Sequence, residues 1–220
     1  MPDLAEQDDR RPLAEAAQRA RLVPPPIAEV LVITGPSGVG KGTLIRALRE
    51  RVSGLELSIS ATTRAPRPGE RDGHDYHFLS HDEFDRRLAA GEFLEHATYA
   101  GNRYGTLNSE LERVRVKPDA RALVLEIELQ GSRQVRRALP GALQVFIAPP
   151  STEALRARLE GRGADTGEQI EERLAVAGRE LEARSEFEHV IENDRLERAV
   201  GALVELIASI WGPKPRGASQ

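Results

Sequence analysis

VLVITGPSGVGKGTL, residues 30–44, runs without a gap from an apolar stretch into a glycine-rich loop and out into a helical pattern. Val30 to Thr34 suit a short buried strand. Gly35, Gly40 and Lys41 meet the phosphate-loop spacing G-x-x-x-x-G-K, in which glycines let successive N–H groups turn inward toward an anion. The helix that follows adds the positive end of its dipole. Leu44, Ile45, Leu48 and Val52 give that helix one apolar face. Lysine is scarce: Lys41, Lys117 and Lys214 stand against 28 arginines, so a lysine at the loop's phosphate position is not a product of composition. The loop, with Gly35, Pro36, Ser37, Gly38, Val39, Gly40, Lys41, Gly42 and Thr43 in it, is expected to hold the phosphates of a nucleotide. Gly42 stands where the pattern has a Ser or Thr that ligates Mg²⁺, so Thr43 or water has to take that role.

The chain has 220 residues, enough for one sizeable core with one or two small insertions. A net charge of -4 gives no basic field for tracking a nucleic-acid backbone, so the expected partner is a small anion. Cysteine is absent, which excludes disulfides, thiolate metal sites and a Cys nucleophile. No run reaches transmembrane length and the N-terminus lacks the apolar stretch of a secretory signal, so the expected compartment is the cytoplasm. Histidines 74, 77, 81, 96 and 189 lack the spacing of a helical zinc pair and are read as surface residues.

Residues 1–26 are charged and Ala-rich and end in three prolines, which marks a flexible extension. The runs at 122–127, 143–148 and 189–193 read as further buried strands between helical patterns, favouring a parallel sheet covered on both faces. Leu196, Val200, Leu203, Val204, Ile207 and Trp211 carry a final helix, with Asp194 and Glu197 as its capping pair. Residues 60–106 hold turn signals and a helix opened by Ser80 and Glu83, the pattern of a small α+β insertion. Residues 151–185 are charged and helical, with a capping box at Thr166 and Gln169 and a narrow stripe of Ile170, Leu174, Ala177 and Leu181, which suggests a mobile cover. Residues 27–59, 107–150 and 186–212 then form the core, and 213–220 a tail.

SISATTRAPRPGERDGHDYHF, residues 58–78, sets Arg64 and Arg67 three apart in a Pro- and Gly-rich loop, with Tyr76 beyond an Asp-Gly turn. Two guanidinium forks and a phenol suit a phosphate monoester. EFLEHATYAGNRYGT, residues 92–106, adds Glu95, Tyr104 and Thr106. Taken in order, GPSGVGKGT, TTRAPRPGE, DYHF, YGT, EIELQG and GRG resemble the guanylate kinase family over roughly residues 28–211. The resemblance implies an α/β P-loop kinase fold of three layers, with a parallel central sheet, an α+β insertion that binds GMP and a helical lid. It implies transfer of the ATP γ-phosphoryl to GMP or dGMP, with Mg²⁺ held mainly by ATP and water.

Residue by residue, the resemblance assigns Ser60, Arg64, Arg67, Tyr76, Glu95, Tyr104 and Thr106 to GMP, with Arg64, Arg67, Tyr76 and Tyr104 on its phosphate. Arg158, Arg162 and Arg173 match phosphate-contacting lid arginines that would act with Lys41, and Asn193 lies where the family meets adenine. The chemistry agrees with this assignment: guanine presents N1–H and N2–H₂ beside an O6 acceptor, which a carboxylate such as Glu95 and a hydroxyl such as Ser60 or Thr106 complement. Glu126 and Glu128 in EIELQG depart from the family, which usually has Asp at the second position; the added methylene shifts that carboxylate relative to GMP or metal-bound water. Arg158 and Arg162 share a helical face if their helix is continuous. Two other readings remain open: a guanylate-kinase-like module that binds without catalysis, against which the intact loop speaks, and a P-loop kinase for another acceptor such as AMP, against which Glu95 speaks.

Overall fold

The computed structural model describes residues 29–99, 101–161 and 166–212; the expectations on the N-terminal extension, Arg162 and the C-terminal tail lie outside them. In chain order the elements are β1 (Glu29–Thr34), α1 (Lys41–Arg51), β2 (Leu55–Leu57), β3 (Ala61–Thr62), β4 (His77–Phe78), α2 (His81–Ala89) and β5 (Phe93–Tyr99). There follow β6 (Asn102–Leu107), α3 (Asn108–Arg115), β7 (Ala122–Glu126), α4 (Leu129–Ala138), β8 (Leu143–Ala148) and α5 (Thr152–Glu160). The chain continues through α6 (Gly167–Glu182), a 3₁₀ turn (Ala183–Glu186), β9 (His189–Glu192) and α7 (Leu196–Trp211). No helix among the described residues is long and apolar enough to cross a membrane.

The main sheet has the order β2-β7-β1-β8-β9 and is parallel throughout. The period of two along β1 divides the core. Leu31 and Ile33 face Leu44, Ile45 and Leu48 of α1 and Val200, Leu203 and Ile207 of α7. Val30 and Val32 face the other way, into a second cluster with Leu123, Leu125, Val114 of α3 and Val135 of α4. Helices on both faces explain why the strands read as unbroken apolar runs. The chain leaves β1 between β7 and β8, crosses through α1 and enters the sheet again at its β2 edge. The loop after β1 therefore sits at the switch point of the sheet, beyond the carboxyl ends of the strands.

Residues from 61 to 107 build a second sheet, ordered β4-β3-β6-β5, antiparallel except for the β3–β4 pair. Ser80 caps α2 by accepting the Glu83 N–H, as its pattern predicts. Phe84 of α2 is fully buried and stacks on Phe93 at 4.4 Å between centroids, which fastens α2 to β5. In α5 and α6 the Thr166 and Gln169 capping box forms, and Leu155, Leu159, Ile170, Leu174 and Ala177 make a small core of their own.

Two expectations are corrected. The start of α7 has no side-chain cap: Asp194 accepts the N–H of its neighbour Arg195 and pairs with Arg198 at 3.1 Å, so its short carboxylate is spent before the helix begins at Leu196. The helix carrying Arg158 ends at Glu160 with Gly161 as its cap, so it does not run on to residue 162.

Candidate functional site

The loop after β1 folds as it does because glycine occurs where a side chain has no room. Gly35 takes φ 143° so close to β8 that a Cβ would stand 2.2 Å from the Ile147 carbonyl oxygen. Gly40 takes φ 98° as the residue before α1, and a Cβ there would meet the Asn193 amide at 2.9 Å. Lys41 opens α1, is buried, and donates to the Gly35 carbonyl at 2.6 Å, with Pro36 O at 3.4 Å.

The tip of this loop is held by residues from distant parts of the chain. Val39 O accepts from Asn193 Nδ2 at 2.8 Å and from Arg158 Nη1 at 3.1 Å, while Arg158 Nη2 donates to Asn193 O at 2.6 Å. Arg173 Nη2 donates to the Ser37 hydroxyl at 2.9 Å. Arg158 and Arg173, predicted from sequence as lid clamps, thus both lie on the glycine loop. A cavity of about 440 Å³ beside it is lined by Gly38, Val39, Gly40, Thr43, Arg158, Asn193 and Leu196.

On the other side of Lys41 a second cavity of about 610 Å³ extends from the loop into the insertion. Pro36, Ser37, Gly38, Gly40, Lys41, Gly42 and Thr43 line one end; Ser60, Tyr76, Glu95 and Tyr104 line the other; Glu126 and Glu128 lie between. Its size is that of a small-molecule site. Glu95 is 3 % exposed, on β5, and accepts a hydrogen bond from the Thr106 hydroxyl of β6 at 2.7 Å. Burial pushes its carboxyl up to about 7, with Thr106 opposing and the Glu128 charge adding to the rise. Tyr76 and Tyr104 meet edge to face at 6.3 Å, and burial raises the Tyr76 phenol above its usual range.

Arg64 stacks on Tyr76 at 5.3 Å and is gripped by both oxygens of Glu70, at 2.8 and 2.9 Å. Glu70 also accepts the Arg67 N–H at 2.7 Å. Arg67 itself is exposed, and neither arginine lines the cavity. Of the residues assigned to one phosphate, Arg64, Tyr76 and Tyr104 stand together, Arg64 stacked on Tyr76 and within hydrogen-bond reach of the Tyr104 phenol, while Arg67 is in the solvent.

Glu126 ends β7 and opens onto the cavity, 3.4 Å from where a Cβ of Gly42 would be; loss of bulk water raises its carboxyl, and Lys41 opposes. Glu128 meets Glu180 of α6 within hydrogen-bond reach. Burial, then the Glu128 charge, pushes Glu180 up to about 7, against the Lys41 charge and the Ser37 N–H. The longer side chain at position 128 is thus partnered, through a residue outside the sequence-predicted set. Sequence reasoning missed Glu180 and Glu70. Glu180 lies seven residues, two helical turns, after Arg173, so one face of α6 aims both at Ser37. Glu70 follows Arg67 by three residues across a turn, close enough to accept its N–H. Arg46, also unremarked in sequence, lines the larger cavity one turn beyond Thr43 and is exposed.

The guanylate kinase family model matches residues 28–210. The guanylate kinase of Gloeobacter violaceus is 49 % identical over 193 residues, covering 87 % of this chain and 93 % of that protein. That of Synechococcus sp. (strain CC9311) is 52 % identical over 178 residues, covering 80 % and 92 %. The crystal structure of guanylate kinase from Anaplasma phagocytophilum superimposes with a TM-score of 0.62 at 29 % identity, covering 86 % of this chain and 97 % of that one. With a phosphate loop at the sheet's switch point and a carboxylate at the far end of one cavity, and with these matches along nearly all of the described residues, the chain belongs to the guanylate kinase family.

Proposed function

We propose that the protein transfers the γ-phosphoryl group of ATP to GMP, and to dGMP, in the cytoplasm, so returning GMP to the purine nucleotide pool. The observation that carries this reading is the single cavity joining Lys41 and the glycine loop to Glu95 in the insertion. One end suits the donor's phosphates, the other a purine acceptor, and the two open on the same space. The relatives' shared name points the same way. Adenine then belongs beside Asn193, in the smaller cavity next to the loop.

Thr106 donates its hydroxyl proton to Glu95, so Ser60 is the hydroxyl left to donate to guanine O6. Glu95, held by Thr106, accepts N1–H and N2–H₂ as a carboxylate. Arg64, Arg67, Tyr76 and Tyr104 hold the acceptor's phosphate once Arg67 turns inward, with Glu70 setting the spacing of the two arginines. Lys41 exchanges the Gly35 and Pro36 carbonyls for the donor's phosphate oxygens. Arg158, Arg162 and Arg173 add positive charge as the lid closes. No general base is needed, since the attacking group is a phosphate oxygen whose second pKa of about 6 leaves it largely deprotonated at neutral pH.

The donor set suits Mg²⁺. Thr43 and Glu126 present hard oxygens beside Lys41, and Glu126 faces Gly42, where no side chain intervenes. These two residues, with water and the donor's phosphates, would hold the ion, which supplies charge neutralisation at the phosphates. Incubation with Mg²⁺, ATP and GMP followed by product separation tests the reading. ADP and GDP in equal amounts are expected, with neither formed when either nucleotide is omitted. Tight GMP binding without product would instead make the chain a binding module.

A further inference from the structure

Gly131, in the QG of EIELQG, has no role in the scheme above, and its backbone does not call for glycine. It lies in the first turn of α4 with an ordinary helical backbone, where propensity favours alanine. The reason for glycine is tertiary. A Cβ at position 131 would stand 2.2 Å from Glu95 Oε2 and 3.0 Å from Glu95 Cδ, with Cγ at 3.5 Å. The overlap is with the carboxylate itself, the group on which base recognition depends.

Neither partner is free to yield. Gln134, one turn further along α4, grips the backbone of His96: its Oε1 accepts the His96 N–H at 3.1 Å and its Nε2 donates to His96 O at 2.6 Å. His96 is the residue next to Glu95, so the clamp fixes the distance between helix and strand at that point. Ser132 and Val135, both fully buried, anchor the same helix in the core. On its far side the carboxylate is tied to the Thr106 hydroxyl at 2.7 Å.

We infer that Gly131 is a positioning residue for base recognition: by presenting no side chain it seats the first turn of α4 against the Glu95 carboxylate and so fixes where that carboxylate points. The inference rests on Glu95 being the group that receives the guanine. A methyl group at 131 rotates the carboxylate out of place while leaving the donor's phosphate loop untouched. Misplacement of a recognition group on this scale costs about 10²-fold in catalytic efficiency.

The test is steady-state kinetics of Gly131→Ala, Glu95→Gln, Glu95→Asp and the double variant Gly131→Ala/Glu95→Asp, with folding followed by thermal denaturation. Gly131→Ala is expected to raise KM for GMP by at least about tenfold, short of the full 10²-fold loss, with KM for ATP within about twofold of the parent. Glu95→Asp alone also displaces the carboxylate and weakens GMP; in that background the shorter side chain is withdrawn from the added methyl, so Gly131→Ala is expected to raise KM for GMP less there than in the parent. An unchanged KM for GMP in Gly131→Ala, an equal rise for both substrates, or a rise as large in the Glu95→Asp background as in the parent would each overturn the inference. If Gly131→Ala fails to fold, recovery of the fold by Glu95→Asp supports the clash, and failure of both overturns it. Glu95→Gln separates the two levels: if it leaves GMP affinity intact, the reading of Glu95 falls, whereas weakened GMP in Glu95→Gln with a normal Gly131→Ala removes only the role of Gly131.

Discussion

Lys41 Nζ lies 2.6 Å from the Gly35 carbonyl, inside the loop to which the proposed function assigns the donor's phosphates. Lys41→Met removes the point charge and keeps most of the stem. It is expected to lower kcat by about 10²–10³-fold, the typical loss for one electrostatic donor, with the fold intact. Product assays on a variant with parental melting temperature check this, and near-normal turnover would contradict it. Glu95 carries a pH signature of its own. Its carboxyl rises from an ordinary 4.5 to about 7 on folding, so between those values the folded state holds the extra proton and stability increases as pH falls through that window. Glu95→Gln should show a smaller gain in melting temperature between about pH 7.5 and 5.5 than the parent. GMP binding has the opposite requirement, since guanine's donors need the ionised carboxylate. KM for GMP should therefore rise as pH drops below 7, more steeply in the parent than in Glu95→Gln. At this scale the sequence named the groups and their types. It did not give their partners: Thr106 appears in it as one more hydroxyl, whereas its proton goes to Glu95, a pairing set by the β5–β6 register of Glu95 opposite Thr106.

At the scale of elements, α5 and α6 join the glycine loop more closely than their thin apolar stripe suggests. Leu159 is fully buried, and a Cβ on Gly38 would stand 2.6 Å from its Cδ2, so the underside of α5 and the loop are fitted to each other. Leu159→Ala should cost about 2–5 kcal/mol, as for other buried leucines, and should raise KM for ATP more than KM for GMP. Denaturant titration and initial rates measure both, and a larger effect on GMP would contradict the packing argument. Amide exchange in α5 and α6 should slow when a bisubstrate analogue binds, and unchanged exchange there would remove the lid assignment. Four of the five main-sheet strands, with α1, α2, α6 and α7, were legible because each is amphipathic or buried at one clear period, and α2 and α6 announce their starts with capping residues; the two- and three-residue strands β2, β3 and β4 are too short to show a period. The start of α7 was not legible, because Asp194 has the pattern of a cap while two near neighbours in sequence, the Arg195 N–H and Arg198, take its carboxylate.

The whole molecule brings the glycine loop and the insertion onto one cavity by topology. The strand order sets the glycine loop at the centre of the sheet, and the insertion after β2 returns to it through β5, α4 and Glu95. The family could be read from six short motifs in order. The contacts inside the site could not: Arg64 is held by Glu70, Arg67 is in solvent, and Lys41 is turned onto its own loop, pairings that only the folded chain sets. The central claim is that Glu95 makes the acceptor a guanine nucleotide. AMP would turn its N1 acceptor and a bare C2–H toward the acceptor-only Glu95 carboxylate, leaving both N1 and the carboxylate unpaired, whereas the Ser60 hydroxyl can accept from a 6-amino group as readily as it donates to O6. The decisive measurement is kcat/KM by coupled ADP release for GMP, IMP and AMP, in the parent and in Glu95→Gln. The parent should prefer GMP to AMP by about 10⁴-fold with IMP between them, and Glu95→Gln should weaken GMP and narrow both gaps. AMP used as well as GMP, or a Glu95→Gln variant with the parent's ranking and GMP affinity, would contradict it.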